Sequence, residues 1–232
     1  MLKALLTDID GTVTDPSRRL STAAVEVMRS LVDKGVEVVL ASGNTSCFMD
    51  ALCRTIGTSG TFIAENGGVF RVGFAGTLHL NGDQNICKKA LEAVQVYYRD
   101  RGKEIVLLSP TYRFTDLAFA RTVPAGEVEK ILSDHPVKVI DTGYAIHLQA
   151  PGIDKGTALE ALATEMGLLP TDFLAIGDSV NDIQMLRKAG IGVTVANAHP
   201  DTKAAAEFIA EKEYGNGFVE AITRYFSYFR AR

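Results

Sequence analysis

Asp8 and Asp10 stand two residues apart at the end of an apolar run, in LLTDIDGT, and Asp178 and Asp182 stand four apart in IGDSVNDI. Carboxylates this close repel one another. At a buried strand end each would favour its protonated form unless a positive charge holds it. Alone, either pair reads as an acidic turn or a helix cap, because Asp, Ser and Gly are ordinary residues there. Lys155 and the small polar loop Ser42-Gly43-Asn44 enlarge the set. Grouped carboxylates call for a hard cation, and Mg2+ suits oxygen-only ligation. A lysine beside a loop of amide N–H groups at a helix start calls for an anion next to that metal, most simply phosphate.

These residues can act together only if the chain folds them onto one edge. Residues 2–7 read as a short apolar strand. Ser21 is a good helix N-cap, TAAVEVMRSLVDK keeps helical spacing, and Gly35 is a plausible stop. VEVVLAS is a β-branched run of the kind buried on both faces. Residues 45–56 are helical, with Phe48, Met49, Leu52 and Ile56 on one stripe, and TFIAE is a third buried strand. This alternation implies a parallel sheet with crossover helices. The pattern then changes. Asn66-Gly67 signals a hairpin with FRV and TLHL as its strands. Residues 83–101 form an amphipathic helix. EIVLLS, DLAFARTV, GEVEKILSD, VKVI and YAIHLQA continue a mixed αββαββ segment. After Gly152 the α/β alternation returns with a helix from Lys155, the strand FLAIGD, a helix in NDIQMLRKAG and the strand IGVTVAN. The expected fold is therefore α/β: a Rossmann-like parallel-sheet core from residues 1–80 and 152–232, interrupted by a smaller α+β cap domain at 81–151. In such sheets ligands bind outside the carboxyl ends of the strands. Asp8, Asp10, the Ser42 loop, Asp178, Asn181 and Asp182 all fall there, and Lys155 opens the helix after the insertion.

The four motifs, Asp8-Ile9-Asp10-Gly11-Thr12, Ser42-Gly43-Asn44, Lys155 and Gly177-Asp178-Ser179-Val180-Asn181-Asp182, resemble in order those of the haloacid-dehalogenase-like phosphatase superfamily. An insertion between the second and third is similar to the cap of its Cof-like branch. GTSG (57–60), AENGG (64–68), GYAIHLQ (143–149) and KEYGNG (212–217) resemble the archaeal phosphoglycolate phosphatase family more narrowly. Asn44 is a departure, since many Cof-like members carry arginine there. The resemblance implies that Asp8 attacks phosphorus to form an aspartyl-phosphate, and that Asp10 serves as acid and then base. It implies Mg2+ held by Asp8, Asp178 and the Asp10 carbonyl, with Asp182 bound directly or through water. Ser42, Gly43, Asn44, Lys155 and Asn181 would hold the phosphate.

The implied substrate is a small phosphate ester, with phosphoglycolate foremost and another sugar or organic-acid phosphate as the alternative. A closing cap leaves little room for a larger one. Its carboxylate would need a cation from the cap: Arg113, in SPTYRFTD, is the first candidate and Arg121 a weaker one. A phosphomutase on the same scaffold and a phosphoreceiver module are the competing readings; the receiver lacks an acid like Asp10. A dinucleotide enzyme is disfavoured because no GxGxxG follows a strand. His147 alternates with Ile146 and Leu148 and reads as structural, and His199 as a loop residue.

With 232 residues, 47% hydrophobic, 22% charged and a net charge of −4, the chain reads as an ordinary globular protein. That charge gives no reason to expect nucleic acid or an anionic membrane as partner. No apolar run approaches the ~18 residues of a membrane span, and no signal-peptide cleavage site follows the start. Cys47, Cys53 and Cys87 lack metal-ligand spacing and read as reduced thiols of a cytoplasmic protein, Cys47 and Cys53 within the core. The expected assembly is a monomer or homodimer, with Tyr228 and Phe229 of the C-terminal helix as candidate contacts.

Overall fold

In the computed structural model, which describes residues 1–231, strand and helix alternate from the start: β1 (Ala4–Asp8), α1 (Thr22–Asp33), β2 (Glu37–Ala41), α2 (Ser46–Ile56) and β3 (Phe62–Ala64). β4 (Val69–Arg71) and β5 (His79–Leu80) follow. Then come α3 (Gln84–Arg99), β6 (Leu117–Ala120), α4 (Ala125–Ile131), β7 (Lys138–Asp141) and β8 (Ala145–Gln149). The rest is α5 (Lys155–Glu165), β9 (Phe173–Gly177), α6 (Ile183–Lys188), β10 (Ile191–Thr194), α7 (Pro200–Ala205), β11 (Phe208–Ile209) and α8 (Tyr214–Tyr225).

The large sheet runs β11-β10-β9-β1-β2-β3-β4-β5, parallel from β11 to β3 and antiparallel at β4 and β5. β1 lies near the middle, between β9 and β2. Its alternation builds two layers. Leu5 packs with Met28, Ile56, Phe218 and Ile222 on one face, while Ala4 and Leu6 pack with Leu159, Leu162 and Met185 on the other. A strand apolar on both faces cannot sit at an edge without exposing one of them, so the β1 sequence selects the central position. β6, β8 and β7 form a separate antiparallel sheet. It shares its own core with α3 and α4, through Leu91, Val94, Phe119, Val128 and Ile146. The fold is thus a parallel-sheet α/β core with an inserted α+β cap.

The caps follow the sequence: Ser21 accepts from Ala24 N, Asp83 from Asn85 N and Asp154 from Thr157 N. Several expectations are corrected. EIVLLS is not a strand. It pairs with β6 only through Leu108 N to Ala118 O and Ala120 N to Val106 O, and Ser109-Pro110 turns it away with Ser109 at φ 50°. The Asn66-Gly67 turn joins β3 to β4, not FRV to TLHL; those pair one turn later as β4 and β5. Cys47 and Phe48 are exposed, because the buried stripe of α2 runs through Met49, Cys53 and Ile56. Phe229 is fully buried in the core, which removes it as a contact between copies; Tyr228 remains exposed. The short elements α7 and β11 were not expected. His199 is the N-cap of α7 and accepts from Asp201 N.

Candidate active site

β9, β1 and β2 are neighbours in parallel register, so their carboxyl ends open side by side. Asp8 ends β1, and Lys155 opens α5 just after its cap Asp154. Lys155 is fully buried, with Nζ 2.5 Å from Asp8 Oδ1 and 2.6 Å from Asp182 Oδ1. The other Asp182 oxygen accepts from the Asp178 and Ser179 amides at 3.0 and 2.9 Å. Asp182 is thereby committed to holding the lysine and the β9 loop. Thr12 Oγ1 donates to Asp178 Oδ1 at 3.1 Å. Gly11, at φ 89°, lies so close to the Asp178 carboxylate that any Cβ would overlap it. Among the described residues Asp8 Oδ2 has no hydrogen-bond partner, and Asp8 helps to line a cavity.

Oxygen atoms of Asp8, Asp178 and Asp182 lie within 4.8 Å of one another. Burial raises the Asp8 carboxyl well above its ordinary range, and the charge of Asp182 adds to this while Lys155 opposes it. Burial and then Asp182 push Asp178 up to about 7. Burial would lower Lys155, but Asp182 and Asp8 outweigh it and raise the ammonium above its usual value. Three carboxylates against one ammonium leave two negative charges uncompensated when all are ionised. The donors are all oxygen, so the set fits a hard divalent cation.

Ser42 and Asn44 stand beyond β2. Ser42 Oγ accepts from the Asn44 backbone and side chain at 3.1 and 2.9 Å, and Asn44 Nδ2 also donates to Asp10 Oδ2 at 2.8 Å. Asn44 therefore orients the second aspartate instead of supplying a cation. Thr45 makes no side-chain cap at the start of α2, which leaves the first amides of that helix open to an anion. Asn181 Nδ2 donates to Asn66 Oδ1 at 2.9 Å, and the Asn66 amide packs against Gly43 at 3.0 Å from where a Cβ would stand. Asp8, Asp10, Ser42, Gly43, Asn44 and Asn181 all line one cavity of about 220 Å³.

The cap forms the opposite wall. Arg113 lines the cavity and is 8% exposed. Its Nη1 donates to Asp116 Oδ1 at 2.7 Å and to the Gly43 carbonyl at 3.2 Å, and Nε donates to Leu108 O at 3.2 Å. Arg121 lies elsewhere, paired on the surface with Asp141 at 2.9 Å, so it is no part of the site. Sequence reasoning missed Glu65, Asp116 and the position of His147. Glu65, fully buried at φ 49° after β3, accepts from the Phe114, Thr115 and Asp116 amides and from the Thr115 hydroxyl. Burial and then Asp116 raise its carboxyl, offset in part by Thr115. His147 Nδ1 lies 2.8 Å from Asp116 Oδ2, and the ring lines the cavity. The signal available was the Arg113…Asp116 spacing in SPTYRFTD, two opposite charges one turn apart, with Glu65 inside AENGG. Across the opening, Arg18 stacks over Tyr144 at 4.3 Å, a further contact between core and cap.

A paired acid edge on a parallel sheet, faced by an inserted cap, defines a class of hydrolases. The chain belongs to the haloacid dehalogenase-like hydrolase family, which it matches over residues 5–111 and 119–222. It is 56% identical to a phosphoglycolate phosphatase of Methanoculleus marisnigri across the whole of both chains. It is 49% identical to one of Methanospirillum hungatei, again over both full lengths. Among solved structures, a Thermoplasma acidophilum protein superposes with a TM-score of 0.85 at 28% identity, covering 97% of this chain and 99% of the other.

Proposed function

We propose that the chain is a Mg2+-dependent phosphomonoester hydrolase that works through an aspartyl-phosphate and takes phosphoglycolate as its substrate. The observation that carries this reading is Asp8, which lines the cavity with one oxygen held by Lys155 and the other without a hydrogen-bond partner among the described residues. The names of the full-length relatives support the substrate. Asp8, Asp178 and the Asp10 carbonyl would hold Mg2+, with Asp182 behind them. When bound, the ion neutralises charge on the phosphate and lets Asp8 remain ionised.

Asp8 Oδ2 attacks phosphorus. A bond forms between that oxygen and phosphorus as the ester P–O bond breaks, and Asp10 gives its proton to the departing oxygen. Water then attacks phosphorus and yields a proton to Asp10. The Asp8–phosphorus bond breaks, releasing phosphate and restoring the carboxylate. Lys155 and the amides of Gly43 and of residues 45–46 hold the transferring oxygens, where positioning and charge compensation do most of the work. Asn44 keeps Asp10 aimed at the leaving group. The cavity is below the ~300–1,000 Å³ of larger ligand sites, which suits a small ester. The test is a panel of phosphate esters with and without Mg2+. Metal-dependent release that favours phosphoglycolate is expected; release without metal, or none from any ester, overturns the reading.

A further inference from the structure

We infer that His147, held by Asp116, is a specificity-determining residue that binds the carboxylate of a carboxylate-bearing phosphate ester together with Arg113. The inference rests on the phosphatase reading and concerns the cap wall of that site.

Asp116 is fully buried and gives one oxygen to each partner, Oδ1 to Arg113 at 2.7 Å and Oδ2 to His147 at 2.8 Å. A buried carboxylate is retained where its charge is matched. Here one carboxylate orients two side chains that both line the cavity. With Nδ1 on Asp116, the ring's remaining nitrogen, Nε2, has no hydrogen-bond partner among the described residues. Arg113 Nη2 is likewise without one among the described residues, since the guanidinium bonds through Nε and Nη1. With Nδ1 turned to Asp116, Nε2 is the ring atom left to meet a ligand, and an imidazolium would donate there. The core wall is committed to phosphate and cation through Asp8, Lys155 and the residue 42–44 loop. The cap wall therefore offers two donors for a second anionic group on the same small ligand. Arg113 also reaches the Gly43 carbonyl, which places this pair of donors directly across from the phosphate loop. Glu65 fixes the 114–116 segment from below and so holds Asp116 in register. A planar carboxylate matches a guanidinium edge beside an imidazole N–H. A sugar hydroxyl can accept a hydrogen bond but brings no negative charge to the guanidinium.

The experiment compares phosphoglycolate with ethyl phosphate, its carboxylate-free counterpart, in wild type, His147→Asn and His147→Gln. Asn places an amide where Nδ1 stood, keeping the bond to Asp116 and removing Nε2; Gln places one near Nε2. We expect wild type to favour phosphoglycolate. His147→Asn should raise its KM about 10- to 100-fold, the scale of a charge-assisted hydrogen bond, with KM for ethyl phosphate and both kcat values nearly unchanged. His147→Gln should recover part of the loss. A second measurement, independent of turnover, is the thermal shift given by phosphonopropionate over propylphosphonate, which His147→Asn should abolish and wild type should retain. Equal losses on both esters would make His147 merely structural and overturn the inference. Equal use of both esters by wild type would also overturn it, while leaving phosphatase activity in place. Release of phosphate from neither ester would instead sink the phosphatase reading itself.

Discussion

Lys155 Nζ lies 2.5 Å from Asp8 Oδ1, although 147 residues of chain, including the whole cap, separate the two. The contact is buried on both sides, and Lys155 also holds Asp182. It is the one ammonium among three clustered carboxylates. Lys155→Met is therefore expected to abolish turnover and to destabilise the metal-free protein at neutral pH by ~3–5 kcal/mol, because it leaves buried charge uncompensated. The loss should shrink as acid protonates the carboxylates. Denaturant titrations of both proteins at neutral and acid pH measure this; a loss independent of pH would refute it.

Asp8→Asn separates chemistry from stability. The amide is nearly isosteric and cannot attack phosphorus, so phosphate release should fall to background. Burial and neighbouring charge already disfavour the ionised Asp8 side chain. The variant should therefore unfold at the same temperature as metal-free wild type or above it. Phosphate release at the wild-type rate by a folded Asp8→Asn protein would end the nucleophile assignment.

The same electrostatics set a pH dependence. Asp178 is pushed up to about 7, above its unfolded value, so protonation favours the folded state. Its contribution is fully present below the unfolded pKa of about 4 and is lost as pH rises through about 7. Metal-free protein should thus lose stability between about pH 4 and about pH 7, and Mg2+ should restore it most at the alkaline end. Asp178→Asn should flatten the slope and remove the Mg2+ response. Thermal midpoints across that range, with chelator and with Mg2+, decide it.

Glu65 ties the cap to the core. Its carboxylate takes three backbone amides and a hydroxyl from residues 114–116. Glu65→Ala strands those donors and should cost ~3 kcal/mol or more, whereas Glu65→Gln keeps an acceptor in place and should cost less. Faster hydrogen exchange at residues 114–116 in Glu65→Ala, with a raised KM, is the expected signature. Unchanged exchange there would rule out the tether.

The carboxylate-bearing edge of the sheet was legible in the sequence because its residues sit at or within a few positions of a strand end or a helix start, and the apolar pattern locates those points. β1, β2 and β9 are buried runs, and Asp8, Ser42 and Asp178 follow directly from them. Of the cap wall only Arg113 was legible, as a cation in SPTYRFTD. Asp116 and Glu65 lie in segments with no periodicity, and Glu65 meets residues 114–116 across 49 to 51 residues of chain. EIVLLS misled for the complementary reason: its composition favours a strand, but its turn at Ser109 prevents a full ladder. His147 does alternate as a strand residue should. It faces the site because β8 is buried on both faces, so neither side of the strand was reserved for solvent.

Arg113 and Arg121 make the last test, because composition treats them alike and the structure does not. Arg121 is half-exposed and paired only with Asp141. Arg121→Ala should therefore change stability by no more than ~0.5 kcal/mol and leave kinetics alone. Arg113 is buried against Asp116, whose carboxyl burial would raise but the His147 hydrogen bond and the Arg113 charge hold below its usual range. Its removal leaves that carboxylate with half its partners, a loss of about 3 kcal/mol or more. The same side chain braces the Gly43 carbonyl in the loop after β2. Arg113→Ala should consequently slow turnover of every ester, and of phosphoglycolate most, in contrast to the selective effect expected at His147. Steady-state kinetics on phosphoglycolate and ethyl phosphate for both variants measure this. Wild-type kinetics on both esters in Arg113→Ala would remove the residue from the site.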